Sequence, residues 1–253
     1  MMTESKGGRR LIQSNYSAQP LVSIITVVFR ARQDLPALLD SILRLKDDGI
    51  ELIVVDGCSA DGTCELLSGY GEQIDYWISE PDRGIYDAMN KGIAVARGKF
   101  LLHLNAGDRL LCIPRHQLEE AASRNVEVAA FRVSIDGHYE FEPSCGLGLR
   151  LKNTLHHQGT FFRRENFPDY YPKYRVFGDF DVNQRLALRG SKMEVFDEVV
   201  ALHMTGGVST VPDPAIDSEF FGVIAKNYGR PYLPLAWFLC KWRGFKARLG
   251  LSS

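Results

Sequence analysis

The chain has 253 residues, enough for one large domain or two small ones. It is 45% hydrophobic and 24% charged, a balance that excludes a disordered chain, a fibrous repeat and a polytopic membrane protein. Thirty basic against 31 acidic side chains leave a net charge of −1, so no overall basic excess points to nucleic acid.

Residues 1–19 are polar, include Gly7-Gly8 and lack an apolar core, which predicts a flexible tail rather than a signal peptide or a span. From Leu21 to Phe29 the chain is almost continuously apolar and β-branched, as a parallel strand buried on both faces requires. Asp34 and Pro36 then open a helix carrying Leu35, Leu38, Leu39, Ile42 and Leu43. Three further strands are predicted at Glu51–Val55, Ile74–Ile78 and Lys99–Leu104, separated by helices starting near Asp61 and Ile85. Four β-α repeats in about 90 residues predict a Rossmann-like, mainly parallel α/β sheet that binds ligands at the C-terminal ends of its strands. Beyond Pro114 a helix near 115–124 precedes strands at Val126–Ile135 and His138–Phe141, joined through the hairpin pair Asp136-Gly137. The reading to about residue 200 is a smaller α+β portion.

Polar clusters fall where the predicted strands end. In Asp56-Gly57-Cys58-Ser59-Ala60-Asp61-Gly62-Thr63, Asp56 is placed to accept hydrogen bonds from a ligand, whereas Asp61 reads first as a helix cap. A calcium loop is excluded, because Cys58 and Ala60 stand where oxygen donors are needed. In Asp82-Arg83-Gly84-Ile85-Tyr86-Asp87-Ala88-Met89-Asn90-Lys91-Gly92, Arg83 and Lys91 suit phosphates near a helix start, or ion pairs on a solvated helix face. Asn105 and Asp108, three residues apart on a turn, can share a hard cation or form an Asx turn. Neither a dinucleotide-binding nor a P-loop glycine motif occurs. The five cysteines, odd in number and without C-x-x-C, predict free, mostly buried thiols in a reducing compartment.

In this order and at this spacing, Ser23–Val27, Val54–Thr63, Asp82–Gly92 and Leu104–Asp108 resemble the family-2 glycosyltransferases over roughly residues 20–210. The likeness is to bacterial members that build exopolysaccharide or colanic-acid-type repeat units. The resemblance implies a GT-A fold, a nucleotide-sugar donor, a divalent cation (Mg or Mn) and inversion at the anomeric carbon. Asp56 would bind the nucleobase with Phe29 lining its pocket, Arg83 and Lys91 would lie near the diphosphate, and Asn105 with Asp108 would stand on the metal side. The acidic motif is thinned here, since Asn105 and Gly107 leave Asp108 as its only acid. Val176-Phe177-Gly178-Asp179-Phe180-Asp181 resembles the family's second acidic motif and makes Asp179 the catalytic base. Asp181 is the rival, able to pair with Arg185 four residues on. His157 is placed near the acceptor, His203 is a candidate metal ligand, and residues 203–209 resemble a glycine-rich loop over the donor. The Gln-x-x-Arg-Trp signature of processive synthases is absent, as Leu186 follows Arg185, which favours one transfer per acceptor.

The charge is uneven: residues 1–20 carry +2, residues 21–224 carry −9, and residues 225–253 carry +6 with no acid. In the last segment Trp237, Phe238, Trp242 and Phe245 mix with Lys241, Arg243, Lys246 and Arg248, the composition of an interfacial helix on an anionic membrane. A helix packed on the domain with a basic outer face is the competing reading. The predicted organisation is a tail at 1–19, a GT-A domain at 20–210 (nucleotide-sugar half 20–110, acceptor and base half 111–210) and a basic aromatic extension at 211–253. The expected protein is a cytoplasmic inverting glycosyltransferase, peripheral on the inner face of the plasma membrane, acting on a glycan or polyprenyl-linked acceptor. A scaffold that keeps the fold but has lost catalysis is the alternative, and a nucleotidyltransferase is disfavoured by the missing phosphate loop.

Overall fold

A computed structural model describes residues 5–12, 19–206 and 213–248, with side chains to residue 241. The first half comprises β1 (Ser5–Gly7), α1 (Arg9–Ile12), β2 (Val22–Val28), α2 (Leu35–Leu43), β3 (Ile50–Asp56), α3 (Thr63–Tyr70), β4 (Tyr76–Ser79), α4 (Ile85–Val95) and β5 (Phe100–His103). It is followed by β6 (Arg109–Leu110), α5 (Arg115–Ser123), β7 (Val128–Ile135), β8 (Tyr139–Phe141), β9 (Thr160–Arg163), α6 (Gly178–Leu188) and β10 (Met193–His203). Helices α7 (Pro214–Tyr228) and α8 (Leu233–Arg248) complete the described chain.

The described strands form one mixed sheet in the order β1-β4-β3-β2-β5-β9-β7-β10-β6, with β8 alongside β7. Strands β4, β3, β2 and β5 are mutually parallel, as the sequence predicts. All seven residues of β2 and of β3 are buried, because helices cover both faces. One core, built around Ile24, Leu35, Leu38, Leu52 and Phe100, lies under α2 and α5. The other, built around Ile25, Ile53, Met89, Phe162 and Phe180, lies under α4, α6 and α7. Each fully buried aliphatic side chain contributes roughly 1.5–3 kcal/mol. Helix α4 approaches β2 so closely that a Cβ on Gly92 would stand 2.5 Å from Ile25, so no larger residue fits at that crossing.

Three differences from the sequence reading stand out. Residues 5–12, expected in a flexible tail, are ordered: β1 adds antiparallel to the sheet edge at β4. Arg9 pairs with buried Asp75 at 3.2 Å, and Arg10 with buried Glu51 at 3.1 Å. Glycine and arginine look like linker residues in isolation, and the acids that fix them lie more than 40 positions away. The rest of residues 1–19 lies partly outside the described residues.

The extension expected from residue 211 is likewise not separate from the domain. Val223, Ile224 and Ala236 are fully buried in the second core, and the Phe220 ring stacks on Phe180 at 5.5 Å. Finally, the five cysteines are free as expected but not buried: Cys58, Cys64, Cys112 and Cys145 are half-buried and Cys240 is exposed.

Candidate active site

The parallel strands end at a common rim. Strand β2 runs into Phe29 and Arg30, β3 into the Gly57–Ser59 turn, and β5 into Asn105–Asp108. The order changes direction between β2 and β5, the place where open α/β sheets form a crevice. Arg30 and Cys58 both adopt left-handed backbone conformations, with φ of 53° and 62°. Each costs on the order of 1 kcal/mol, strain of the kind that collects at working sites. The amide of Arg30 donates to the Ser59 hydroxyl at 2.7 Å, tying the two loops together. Phe29 is 62% exposed on this rim, with the Arg30 guanidinium 5.2 Å from its ring centre.

Asp56 lies beneath that rim and is fully buried. Its carboxylate accepts from the amide and hydroxyl of Ser59 and from the Ser79 hydroxyl. Three bonds fill most of its acceptor capacity, so Asp56 organises the turn from below. The cap position expected of Asp61 falls to Gly62, and Asp61, one residue earlier, accepts from the amide and hydroxyl of Thr63 at the start of α3. The Thr63 bond holds its carboxyl below the ordinary range.

Arg83 and Lys91 are both engaged within the chain. Arg83 donates to Asp87 at 2.6 Å while its side chain stays 76% exposed, and this bond holds the Asp87 carboxyl below its ordinary pKa. Lys91 bonds Glu80 and the Pro81 carbonyl, each at 2.7 Å, and so ties the preceding loop to α4.

The remaining nominated residues converge, although they span almost 100 positions. Asp108 is 2% exposed. Its Oδ1 faces His203 Nδ1 at 2.8 Å, and its Oδ2 accepts from the Asn105 amide at 2.8 Å and from Gln158 Nε2 at 3.0 Å. The Asn105 side-chain Nδ2 lies 3.1 Å from His157 Nε2. With Nδ2 as donor, the ring proton of His157 sits on Nδ1, which lies 3.5 Å from Asp179 Oδ2. Asp179 also accepts from Asn153 Nδ2 at 2.8 Å. His156 packs against the rings of both His157 and His203. Burial pushes His156 down to about 3, so it is a neutral spacer between them. Of the glycine-rich segment after His203, residues 207–212 lie outside the described residues, while Thr205 is held by the Asp136 carboxylate.

Asp179 sits in the first turn of α6, with Tyr86 of α4 behind it. The Tyr86 hydroxyl donates to the Val176 carbonyl and accepts from the Asp179 amide at 3.4 Å. Asn90, one turn further along α4, makes two bonds to the backbone of Tyr170. The Tyr-Asp-Ala-Met-Asn run thus clamps the two halves of the chain together. Asp181, the rival to Asp179, pairs with Arg185 as expected: it is fully buried, 2.8 Å from Arg185 and 2.7 Å from Lys226, and within 3.3 Å of the Tyr174 hydroxyl.

Sequence reading passed over Gln158, Asn153, Tyr86 and Asn90. Gln158 directly follows His157, and its Nε2 lies 3.0 Å from both Asp108 Oδ2 and His203 Nδ1. Asn153 sits in an irregular loop that carries no pattern.

Among the described residues no three His, Cys, Asp or Glu side chains cluster as metal ligands. The donor set still suits a hard divalent cation. It consists of the Asp108 carboxylate, an imidazole nitrogen facing it, and Asn105 Oδ1, a buried oxygen without a hydrogen-bond partner.

The profile of glycosyl transferase family 2 matches residues 23–178. A PGL/p-HBAD biosynthesis glycosyltransferase of Mycobacterium bovis is 29% identical over 221 residues, covering 80% of this chain and 83% of that one. The putative teichuronic acid biosynthesis glycosyltransferase TuaG of Bacillus subtilis is 36% identical over 95 residues, 36% of this chain and 37% of its own. The fold is shared with S. aureus TarS 1–349, solved in complex with UDP, at a TM-score of 0.62 and 14% identity. That match covers 81% of this chain but 64% of the TarS fragment. It is shared equally with the mannosyltransferase PcManGT of Pyrobaculum calidifontis, solved with GDP-Man and Mn2+, at 0.60 and 16%, over 87% of this chain and 69% of that one.

One substitution tests how tightly Asp179 is fixed. A Cβ on Gly178 would stand 2.7 Å from the buried Tyr86 ring. Gly178→Ala should therefore cost about 1–3 kcal/mol of stability through overpacking, read as a lower urea midpoint. An unchanged midpoint would mean that the ring has room to move.

Proposed function

The chain belongs to glycosyl transferase family 2, a GT-A enzyme, and we propose that it is an inverting transferase moving one sugar from a nucleotide-sugar donor to an acceptor hydroxyl. The observation that carries this reading is the polar path from Asp108 through Asn105 to His157, whose Nδ1 comes within 3.5 Å of Asp179. In this reading the leaving-group side and the base side occupy the two ends of that path.

In this mechanism the Asp179 carboxylate takes the proton of the acceptor hydroxyl as that oxygen bonds to C1 of the sugar. The bond from C1 to the nucleotide breaks on the opposite face, and the nucleoside diphosphate leaves with the electron pair. One displacement inverts the centre. A double displacement would need a second, nucleophilic carboxylate, and Asp181 is spent on Arg185 and Lys226. The co-location of Asp108 and Asp179 favours this reading over a scaffold without activity.

On the donor side, the nucleobase would lie over Phe29 with Asp56 as the floor of its pocket. Arg83, the more exposed of the two cations, is the better candidate for the diphosphate. Asp108, His203 and Asn105 would hold a divalent cation, which when bound stabilises charge on the leaving diphosphate. His157 and Asn153 orient the base.

The acceptor in this reading is a surface glycan or its polyprenyl-linked precursor, presented at an anionic membrane. No helix among the described residues is long and apolar enough to cross a membrane. Helix α8 supports attachment instead: Leu235, Trp237 and Phe238 are half or more exposed, and the Lys241 ammonium lies 5.8 Å from the Trp237 ring.

Hydrolysis of UDP-glucose, UDP-GlcNAc, UDP-galactose and GDP-mannose by wild type and Asp179→Asn tests the base. The variant should bind the donor normally and lose at least about 10²-fold in rate; undiminished turnover removes Asp179 from the mechanism. In the same assay, chelation should abolish turnover and added Mn2+ restore it for wild type but not for Asp108→Asn. Full activity in chelator would refute the cation. For the membrane, phosphatidylglycerol vesicles should sediment wild type but not the triple variant Leu235→Ser, Trp237→Ser, Phe238→Ser. Equal sedimentation of the two proteins would sink the attachment.

A further inference from the structure

Helix α7 lies beyond the matched residues 23–178, yet it reaches the turn that carries the base. Glu219 projects from α7 onto three successive backbone amides. Its Oε2 accepts from the amide of Arg175 at 2.9 Å, and its Oε1 accepts from those of Val176 at 2.9 Å and Phe177 at 2.6 Å. These amides immediately precede α6, where the helix dipole favours a negative charge. The same turn is gripped from the other side by Tyr86, through the Val176 carbonyl and the Asp179 amide. Helix α7 is seated by apolar contacts independent of Glu219, with Phe220 against Phe177 and Phe180. It is also held by Asp213, which caps its start and faces the Arg175 guanidinium at 3.4 Å.

We propose that Glu219 is a positioning residue for the transfer reaction, fixing the 175–177 turn so that Asp179 meets the acceptor hydroxyl. This rests on the reading of Asp179 as base. A carboxylate accepting three charge-assisted bonds from consecutive amides removes the freedom of the backbone directly before Gly178, where the chain has no side chain to restrain it. Small displacements of a base lower the rate steeply while leaving donor binding alone.

Amide hydrogen exchange and donor hydrolysis together test the assignment, on the full chain and the four nucleotide sugars above. Glu219→Ala should speed exchange at residues 175–179 and lower kcat by about 10- to 100-fold with KM for the donor unchanged. Glu219→Gln, which keeps one accepting oxygen, should recover part of the rate. Asp217→Asn, an exposed charge change on the same helix, should alter neither readout. Phe220→Leu separates positioning from helix docking: at an equal loss of Tm it should retain more activity than Glu219→Ala.

In the Asp179→Asn background, adding Glu219→Ala should cost nothing further, since the residue acts through the base. Unchanged exchange at 175–179, a rate loss matched by Phe220→Leu, or a fully additive double variant would each overturn the proposal. If Asp179→Asn alone keeps full activity, it is the base reading that fails, and the exchange result then stands by itself as a statement about the turn.

Discussion

The Tyr86 phenol stands between two segments that fold from opposite ends of the chain. Its ring fills the space above Gly178, and its hydroxyl answers both the Val176 carbonyl and the Asp179 amide. Burial, reinforced by the Asp179 charge, pushes this phenol well above its ordinary pKa, so it remains a protonated donor at any working pH. The position of Asp179 relative to the strand ends follows from that contact. So does the need for glycine at 178, and so does the seating of α4, which Asn90 secures against Tyr170.

Around this clamp the charges divide by purpose. Buried acids that hold architecture are matched to cations: Glu51 to Arg10 and Arg97, Asp75 to Arg9 and Lys46, Asp181 to Arg185 and Lys226. Breaking any of these pairs would leave a buried charge exposed to desolvation, a strongly destabilising event. Asp108 and Asp179 are different, for they face amides and imidazoles instead of lysine or arginine. Such partners orient a carboxylate without the full-time positive charge of lysine or arginine beside it.

Much of the fold was legible in the sequence, because runs such as Leu21–Phe29 and Glu51–Val55 are too apolar and β-branched to be anything but buried strands. The site was legible where it follows a strand: Asp56, Asn105 and Asp108 are announced by the apolar runs before them. Asp179, His157 and His203 came from resemblance, and their meeting depends on β9 and β10 crossing the sheet, which no local pattern encodes. The same limit explains the N-terminal residues. Arg9 and Arg10 look like solvated charges until Asp75 and Glu51 are seen to lie buried beneath them. For Arg83 and Lys91 the sequence leaves an anion or local ion pairs open, and both side chains carry ion pairs, with Asp87 and Glu80. Glu219 carried no signal, being one acid on an ordinary helix.

Strand β9 pairs antiparallel with β5 on one side and with β7 on the other. It therefore stitches the strands β1–β5 of the first half of the chain and those of the second half into one uninterrupted sheet. Two lobes joined by a linker can swing apart to admit substrate, but a seam of strand hydrogen bonds cannot open without unfolding. Any change of shape at this crevice is then left to its rim, such as the Phe29–Arg32 turn. Whatever adapts to a bound molecule there must be short loops on a fixed frame.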